Sequence, residues 1–284
     1  MKYSIDEIRF EVAAGLGIPE EKVLVRNVEK ENGVVKTGIS IAPNSSETGR
    51  TLSPVVYLEE LEKRFPEHDS KMLARTVVDA MFAYTKVLPE NPFTKERILR
   101  TCMIKVVPVL KNFGILKNCP HRITADFAQI VFMKIGETPE SGYARVDNSM
   151  LAAFGIEEDE LYEAARTNTE ANGFVFKPLS EVLDPVLDTG DNPLFLVTNN
   201  ECVYGAAALA FPEKIEGYEK QIGEKVFILP SSIHEILLVR KSCADDPESL
   251  AMMVREINNT QVADEDVLTD SVYEVVDGKI VKAA

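Results

Sequence analysis

Residues 230–235, Pro230-Ser231-Ser232-Ile233-His234-Glu235, put two hydroxyls, an imidazole and a carboxylate in a short run. Acyl-transfer hydrolases use that set: a serine nucleophile, an imidazole that takes its proton, and an acid that orients the imidazole. Ser231 or Ser232 with His234 would fill the first two roles. The pleat of a strand opposes Glu235 in the third. If 233–239 is a strand, His234 and Ile236 share one face while Glu235 points to the other. On the structural reading, Pro230-Ser231-Ser232 is a junction between two strands, its hydroxyls bonded to backbone amides. His234 is then a packed, hydrogen-bonded residue of the sheet.

His121 is the second candidate, with Cys119 before it and Asp126 after it. A thiolate and an imidazole can ligate zinc, and His234 could join them. No further ligand stands at a recognisable spacing, so no metal site is expected, and Pro120-His121 reads as a corner. His68, the third histidine, is expected to be solvent exposed in the turn before a helix. Asn199-Asn200 reads as a turn or, alternatively, as a polar contact for a ligand. There is no G-x-G-x-x-G, P-loop, H-E-x-x-H or G-x-S-x-G, so no cofactor is expected.

Charge narrows the partners. The 284 residues carry 31 Lys+Arg against 46 Asp+Glu, a net of −15. Residues 1–142 hold 20 basic and 19 acidic residues, whereas 143–284 hold 11 and 27, a net of −16. A chain this acidic does not offer DNA or RNA a broad phosphate footprint, and no direct nucleic-acid binding is expected. Within residues 157–191, ten acids face two bases. Such a stretch is a solvated helix and loop, or a surface that imitates DNA phosphate towards a basic protein. The N-terminus has acids where a signal peptide needs an apolar run, and no apolar stretch approaches a membrane span. Cys102, Cys119, Cys202 and Cys243 lie far apart, as expected for reduced thiols in a cytoplasmic protein.

These residues need elements to position them. Ser4 and Glu7 form a capping box before Ile5, Ile8, Val12 and Leu16 at helical spacing, and Gly17 ends the helix. Runs 23–29 and 34–42 read as strands joined at Asn32-Gly33, a type I′ hairpin signal. Residues 54–58 read as a strand running into a helix at 59–65. Asp69 caps a helix over 71–86 with Met72, Leu73, Val77, Ala80 and Tyr84 on its apolar face. A break at 89–92 precedes a strand at 101–110, a helical turn, and a corner at 118–121.

Residues 125–134 form a buried central strand, paired with 142–146 after a Pro-Glu-Ser-Gly turn. A helix spans 157–169, with four acids at its positive end. Residues 174–192 read as a loop-rich insert. Strands follow at 194–198, 206–210, 226–229 and 235–239, with a helix at 213–222. Asp246 caps a last helix with Pro247 in its first turn and Leu250, Met253, Val254 and Ile257 as its stripe. Residues 271–282 form a hairpin at Asp277-Gly278. The irregular order of elements predicts an α+β fold, mixed and largely antiparallel sheets flanked by helices. Residues 1–95 form one region and 96–284 a larger one, or the two are one continuous domain.

Several segments resemble a bacterial family catalogued as domain-of-unknown-function family fifty-six eighty-eight. They are Phe227-Ile228-Leu229-Pro230-Ser231-Ser232-Ile233-His234-Glu235-Ile236-Leu237-Leu238-Val239, Met253–Asn258 and Leu268–Tyr273 downstream, and Cys119-Pro120-His121, Asp126-Phe127-Ala128, Val197–Asn200 and Gly205-Ala206-Ala207 upstream. The resemblance implies an origin in anaerobic gut bacteria and their mobile elements, and it supplies no chemistry. The first functional reading is therefore a non-enzymatic interaction module with a protein partner still to be identified. The alternatives are a serine hydrolase using Ser231 or Ser232 with His234, and an acidic DNA mimic that inhibits a basic protein.

Overall fold

The computed structural model describes residues 3–42, 53–87, 93–136, 142–182, 193–244 and 246–284. Contacts group the chain into two units. The first is Met1–Lys30, Val34–Arg97 and Lys134–Tyr143; the second is Glu31–Gly33, Ile98–Met133 and Ala144–Ala284.

In the first unit, helix α1 (Ile5–Leu16) starts where the Ser4 hydroxyl accepts the Glu7 N–H and stops at Gly17, in the left-handed region at φ 65°. Strands β1 (Val23–Glu29) and β2 (Val35–Ile41) pair antiparallel, with Val23 opposite Ile41 and Glu29 opposite Val35. Their connection has the expected positive φ at Asn32 (62°) and Gly33 (71°). But Glu29 stands opposite Val35 and the Lys30 N–H donates to the Val34 carbonyl, so the loop is the three residues Glu31–Gly33 rather than the expected two-residue type I′ hairpin. Strand β3 (Val56–Tyr57) completes a three-stranded sheet. Helices α2 (Leu58–Arg64) and α3 (Ser70–Val87) follow. Ile8, Val12, Val23, Ile39, Leu58, Leu73 and Val77 form the core.

Two expectations change here. Met72 is 47% exposed, because the buried face of α3 centres on Leu73, Ala74, Val77, Val78 and Met81, one position round. His68 is half-buried rather than exposed, since its ring stacks on Phe65 at 4.7 Å. The break at 89–92 and most of the Pro-Glu-Ser-Gly turn lie outside the described residues.

Helix α4 (Lys95–Thr101), unanticipated in the sequence, leads into β4 (Cys102–Pro108). In the second unit, β4 lies beside the central β6 (Phe127–Lys134). The expected helical turn is α5 (Phe113–Leu116), and the expected corner follows it at 117–120. Strand β5 (His121–Thr124), unanticipated in the sequence, starts where the corner ends. The small sheet has the order β4-β6-β5, and β7 (Tyr143–Arg145) also pairs with β6. Helices α6 (Asn148–Phe154) and α7 (Glu158–Asn172) follow.

The larger sheet is built from β8 (Phe174–Pro178), β9 (Leu194–Asn199), β10 (Val226–Leu229), β11 (Ile236–Arg240), β12 (Tyr273–Val276) and β13 (Lys279–Lys282). Its order is β13-β12-β10-β11-β9-β8, antiparallel throughout. Helices α8 (Pro212–Ile222) and α9 (Pro247–Gln261) complete an α+β architecture.

Three local expectations are corrected. Residues 174–178 are a strand rather than loop, because Phe174 and Phe176 pack their rings on Phe211 and Tyr218. The rest of that insert, 183–192, lies outside the described residues. Residues 206–210 belong to a 3₁₀ helix, Gly205–Ala210, rather than a strand; all six residues are buried, since small side chains permit close approach. On α9, Val254 and Asn258 are buried whereas Met253 and Ile257 are each 36% exposed. Asn258 explains the rotation, for its amide donates to the Thr269 carbonyl and to Asp270.

The thiols divide by environment. Cys102 and Cys119 are buried, and Cys202 and Cys243 are exposed. Burial pushes the Cys102 thiol up to about 12 and raises that of Cys119 as well. Burial thus keeps Cys102 in the thiol form at pH 8, and thiolate is the reacting species. Iodoacetamide at pH 8 should therefore add two groups to the folded chain, at Cys202 and Cys243, and four after unfolding in urea. Mass spectrometry of both samples checks the count.

Candidate functional site

The junction between β10 and β11 fixes His234. The two strands are adjacent and antiparallel, with Val226 opposite Arg240 and Leu229 opposite Leu237. The residues between them are held by a third segment. The Ser231 carbonyl accepts the Leu268 N–H, the Ile233 N–H donates to the Asp266 carbonyl, and Ser232 bridges to Val267. The Ser232 hydroxyl is buried and accepts the His234 N–H at 3.0 Å.

Both imidazole nitrogens face partners within the chain. Nδ1 accepts the Tyr204 backbone N–H at 3.3 Å, and Nε2 lies 3.5 Å from Asp266 Oδ1. An acceptor at Nδ1 leaves the proton of the neutral ring on Nε2, directed at that carboxylate. Ser231 and Ser232 thus stand next to His234 in sequence, while Tyr204 and Asp266 are its partners in space.

The 199–205 loop presents Tyr204. Asn199 closes it by accepting the Glu201 and Val203 N–H groups and donating to the Val203 carbonyl. Cys202 and Tyr204 take positive φ values of 55° and 57°, a strained region for side-chain-bearing residues. Gly205 follows by necessity. Its N–H donates to the His234 carbonyl, and a Cβ here would lie 2.6 Å from that oxygen. The tyrosine ring stacks on His234, with centroids 5.4 Å apart.

Beneath the Tyr204 ring sits Lys105, its Nζ 4.1 Å from the centroid and 2.9 Å from Glu31 Oε1. The lysine side chain is only 5% exposed. Burial pulls its ammonium below the usual range; Glu31 and Asp266 oppose that and Arg145 adds to it. Arg145 also approaches Glu31 at 4.0 Å. Asn32 anchors the turn that carries Glu31: its N–H donates to Asn112, and its side-chain amide donates to the carbonyls of Asp264 and Val267. Glu31, Lys105, Arg145, Tyr204, His234 and Asp266 thus form a linked set of charges and rings.

The other sequence candidates are placed apart from it. His121 is exposed on β5, its Nδ1 3.1 Å from the Cys119 carbonyl. Asp126 accepts the Tyr273 hydroxyl at 2.8 Å, and the Cys119 thiol donates to Ile115. The Asn200 amide donates to the Asn172 carbonyl, and Glu235 is half-buried. Both Glu235 and His234 lie in the junction before β11 begins at Ile236, so His234 is a junction residue rather than the strand residue expected. Among the described residues, no group of three or more His, Cys, Asp or Glu is placed to hold a metal ion. Sequence reasoning missed Glu31, Lys105, Arg145, Tyr204 and Asp266. Lys105 did leave a signal, as a single charge inside the apolar run Cys-Met-Ile-Lys-Val-Val-Pro.

The chain belongs to the Family of unknown function (DUF5688), whose model it matches over residues 4–275. No curated protein and no solved structure is significantly similar to it. Within the chain, Val197–Asn200, Gly205–Ala207 and Phe227–Val239 meet at the His234 carbonyl, where Thr198 and Gly205 both donate.

Removing the carboxylate from this set strands the buried ammonium. Glu31→Gln should lower stability by about 3 kcal/mol, the scale for breaking a buried pair by deleting one partner. The half-exposed Arg145→Gln should cost far less. Because the folded chain holds the Lys105 proton less tightly than the unfolded chain, the unfolded chain carries more protons below the ordinary lysine range of 10.5. Stability of Glu31→Gln relative to the parent should accordingly recover between pH 7 and pH 10. Urea titrations at both pH values check the size and the sign.

Proposed function

We propose that the chain is a non-enzymatic interaction module that binds a protein partner in the cytoplasm through the surface of its second unit. One observation carries this reading: the imidazole best placed in sequence for catalysis has Tyr204 at one ring nitrogen and Asp266 at the other. Its serine neighbour Ser232 caps a backbone amide instead of facing the ring. The set around Lys105 likewise works as a fixed support for the 199–205 loop.

The surface supports the same reading. Glu157, Glu158 and Asp159 are exposed at the head of α7, and Leu110, Phe113 and Ile123 expose apolar side chains in the same unit. Among the described residues, no helix is long and apolar enough to cross a membrane. The DNA-mimic alternative finds less support. Asp159, Glu170 and Glu213 are already paired with Arg122, Lys214 and Arg166, which breaks up the row of free negative charge that phosphate imitation requires.

The hydrolase alternative is separated by chemistry and by calorimetry. A fluorophosphonate should leave no adduct on the full chain. A one-to-one adduct lost in Ser231→Ala or Ser232→Ala would overturn the module reading. In parallel, His234→Ala should melt about 3 °C below the parent, because it leaves the Tyr204 N–H and Asp266 without their partner. Ser231→Ala should melt close to the parent.

A further inference from the structure

We infer that the outer edge of β5 takes up an extended segment of a partner protein as an added strand, one whose side chains alternate apolar and basic. This rests on the interaction-module reading and names the face and the partner chemistry.

Backbone geometry comes first. Among the described residues, β5 pairs with β6 alone, Thr124 opposite Phe127 and His121 opposite Ile130. The two strands are joined by Ala125-Asp126, with Ala125 at φ 51°. A two-residue hairpin closes on a hydrogen-bonded pair, and the bonded pairs then alternate along the ladder. Thr124 and Arg122 are therefore bonded to β6. The N–H and C=O groups of His121 and Ile123 face outward, where a further strand would bond. Ile123 is 55% exposed, so this edge is open to solvent. Residues 121–124 contain no proline, lysine or bulge; the protection this edge has is its four-residue length and the charge of Arg122.

Side chains then set what the added strand must carry. Cross-strand partners share a face, which puts His121 and Ile123 with Ile130 and Ala128. On that face Ile115 and Leu116 of α5 pack against Ala128 and Ile130. Phe113 and Leu110, 55% and 78% exposed, are further apolar side chains at the turn from β4 into α5. Arg122 points to the opposite face, over the Tyr162 ring and into a 2.7 Å pair with Asp159. Exposed Glu157 and Glu158 precede Asp159 at the head of α7. An added strand also points alternate side chains to the two faces. One set would meet Ile123 and its apolar neighbours, and the other would meet the acids of α7. That is β-strand addition, with main-chain bonds for affinity and alternate side chains for selectivity.

The probe is a fluorescent decapeptide of alternating valine and lysine, read by anisotropy against the full chain at physiological salt. Saturable one-to-one binding is expected. Methylating alternate peptide amides should weaken it about tenfold while leaving every charge in place, the effect of roughly 1.4 kcal/mol of lost main-chain bonding. Ile123→Pro, which removes an outward N–H and leaves the β6 ladder intact, should weaken it similarly. The double variant Glu157→Lys/Glu158→Lys should weaken it several-fold, and glutamate in place of lysine in the peptide should abolish it. Absence of saturable binding overturns the inference. So does equal affinity for the methylated peptide, which would mean attraction by charge alone. If Ile123→Pro lowers the melting temperature, the methylated peptide against the parent chain decides alone. A negative peptide result without a fluorophosphonate adduct removes this edge as the docking face and leaves the module reading standing; an adduct removes that reading itself.

Discussion

The second unit is organised around one buried cation. Placing the Lys105 ammonium at 5% exposure carries a desolvation cost of several kcal/mol, and the fold stands only because opposing interactions converge on the same atom. Glu31 supplies the carboxylate at 2.9 Å and Tyr204 the negative face of its ring at 4.1 Å. Each partner then needs its own support. Glu31 is held in place by the bonds of Asn32 to Asn112, Asp264 and Val267. Tyr204 is held by the Asn199-capped loop and by the His234 ring. Asp266 closes the circuit, being near enough to both His234 and Lys105 to act on each. Five stretches of chain far apart in sequence thus share one electrostatic balance.

This explains what could be read from the sequence. Signals written in two to four neighbouring residues were legible: the Ser4–Glu7 cap, the Asn32-Gly33 turn, Asp246 before Pro247, and Asp277-Gly278. Each concerns a backbone group satisfied locally, so neighbours suffice to predict it. The pairing of β10 with β11 was legible for a related reason, since two β-prone runs flank a short polar junction. Elements whose form is set by distant packing were not. Gly205–Ala210 reads as a strand only because it is a short apolar run, yet Gly205 must lie against the His234 carbonyl, and the segment coils as a 3₁₀ helix. Phe174–Pro178 has the prolines and acids of a loop around it, yet Phe174 and Phe176 find Phe211 and Tyr218.

The candidate site shows the same division. His234 stood out because its type is rare in this chain and its neighbours carry hydroxyls. Its spatial partners come from the loop before α8 and from the segment before β12, and no spacing in the sequence links them. A hydroxyl next to an imidazole in sequence is often turned elsewhere, as the Ser232 bond to the His234 amide shows. Charge was legible in total and obscure in detail. The excess of acid in the second half is real, but cations at Arg122, Arg166 and Lys214 neutralise parts of it.

The turn Glu31–Gly33 bears on how this gene can be rearranged. By contacts these three residues belong with Ile98–Met133 and Ala144–Ala284, although the strands on either side of them, β1 and β2, belong to the first unit. A recombination breakpoint near residue 95 looks harmless on a linear map. It would nonetheless inherit the lysine without its carboxylate, and leave Asp264 and Val267 without the Asn32 amide. The downstream segment is therefore not portable as a cassette. A transferred downstream segment would have to bring the first hairpin with it or place another carboxylate beside Lys105.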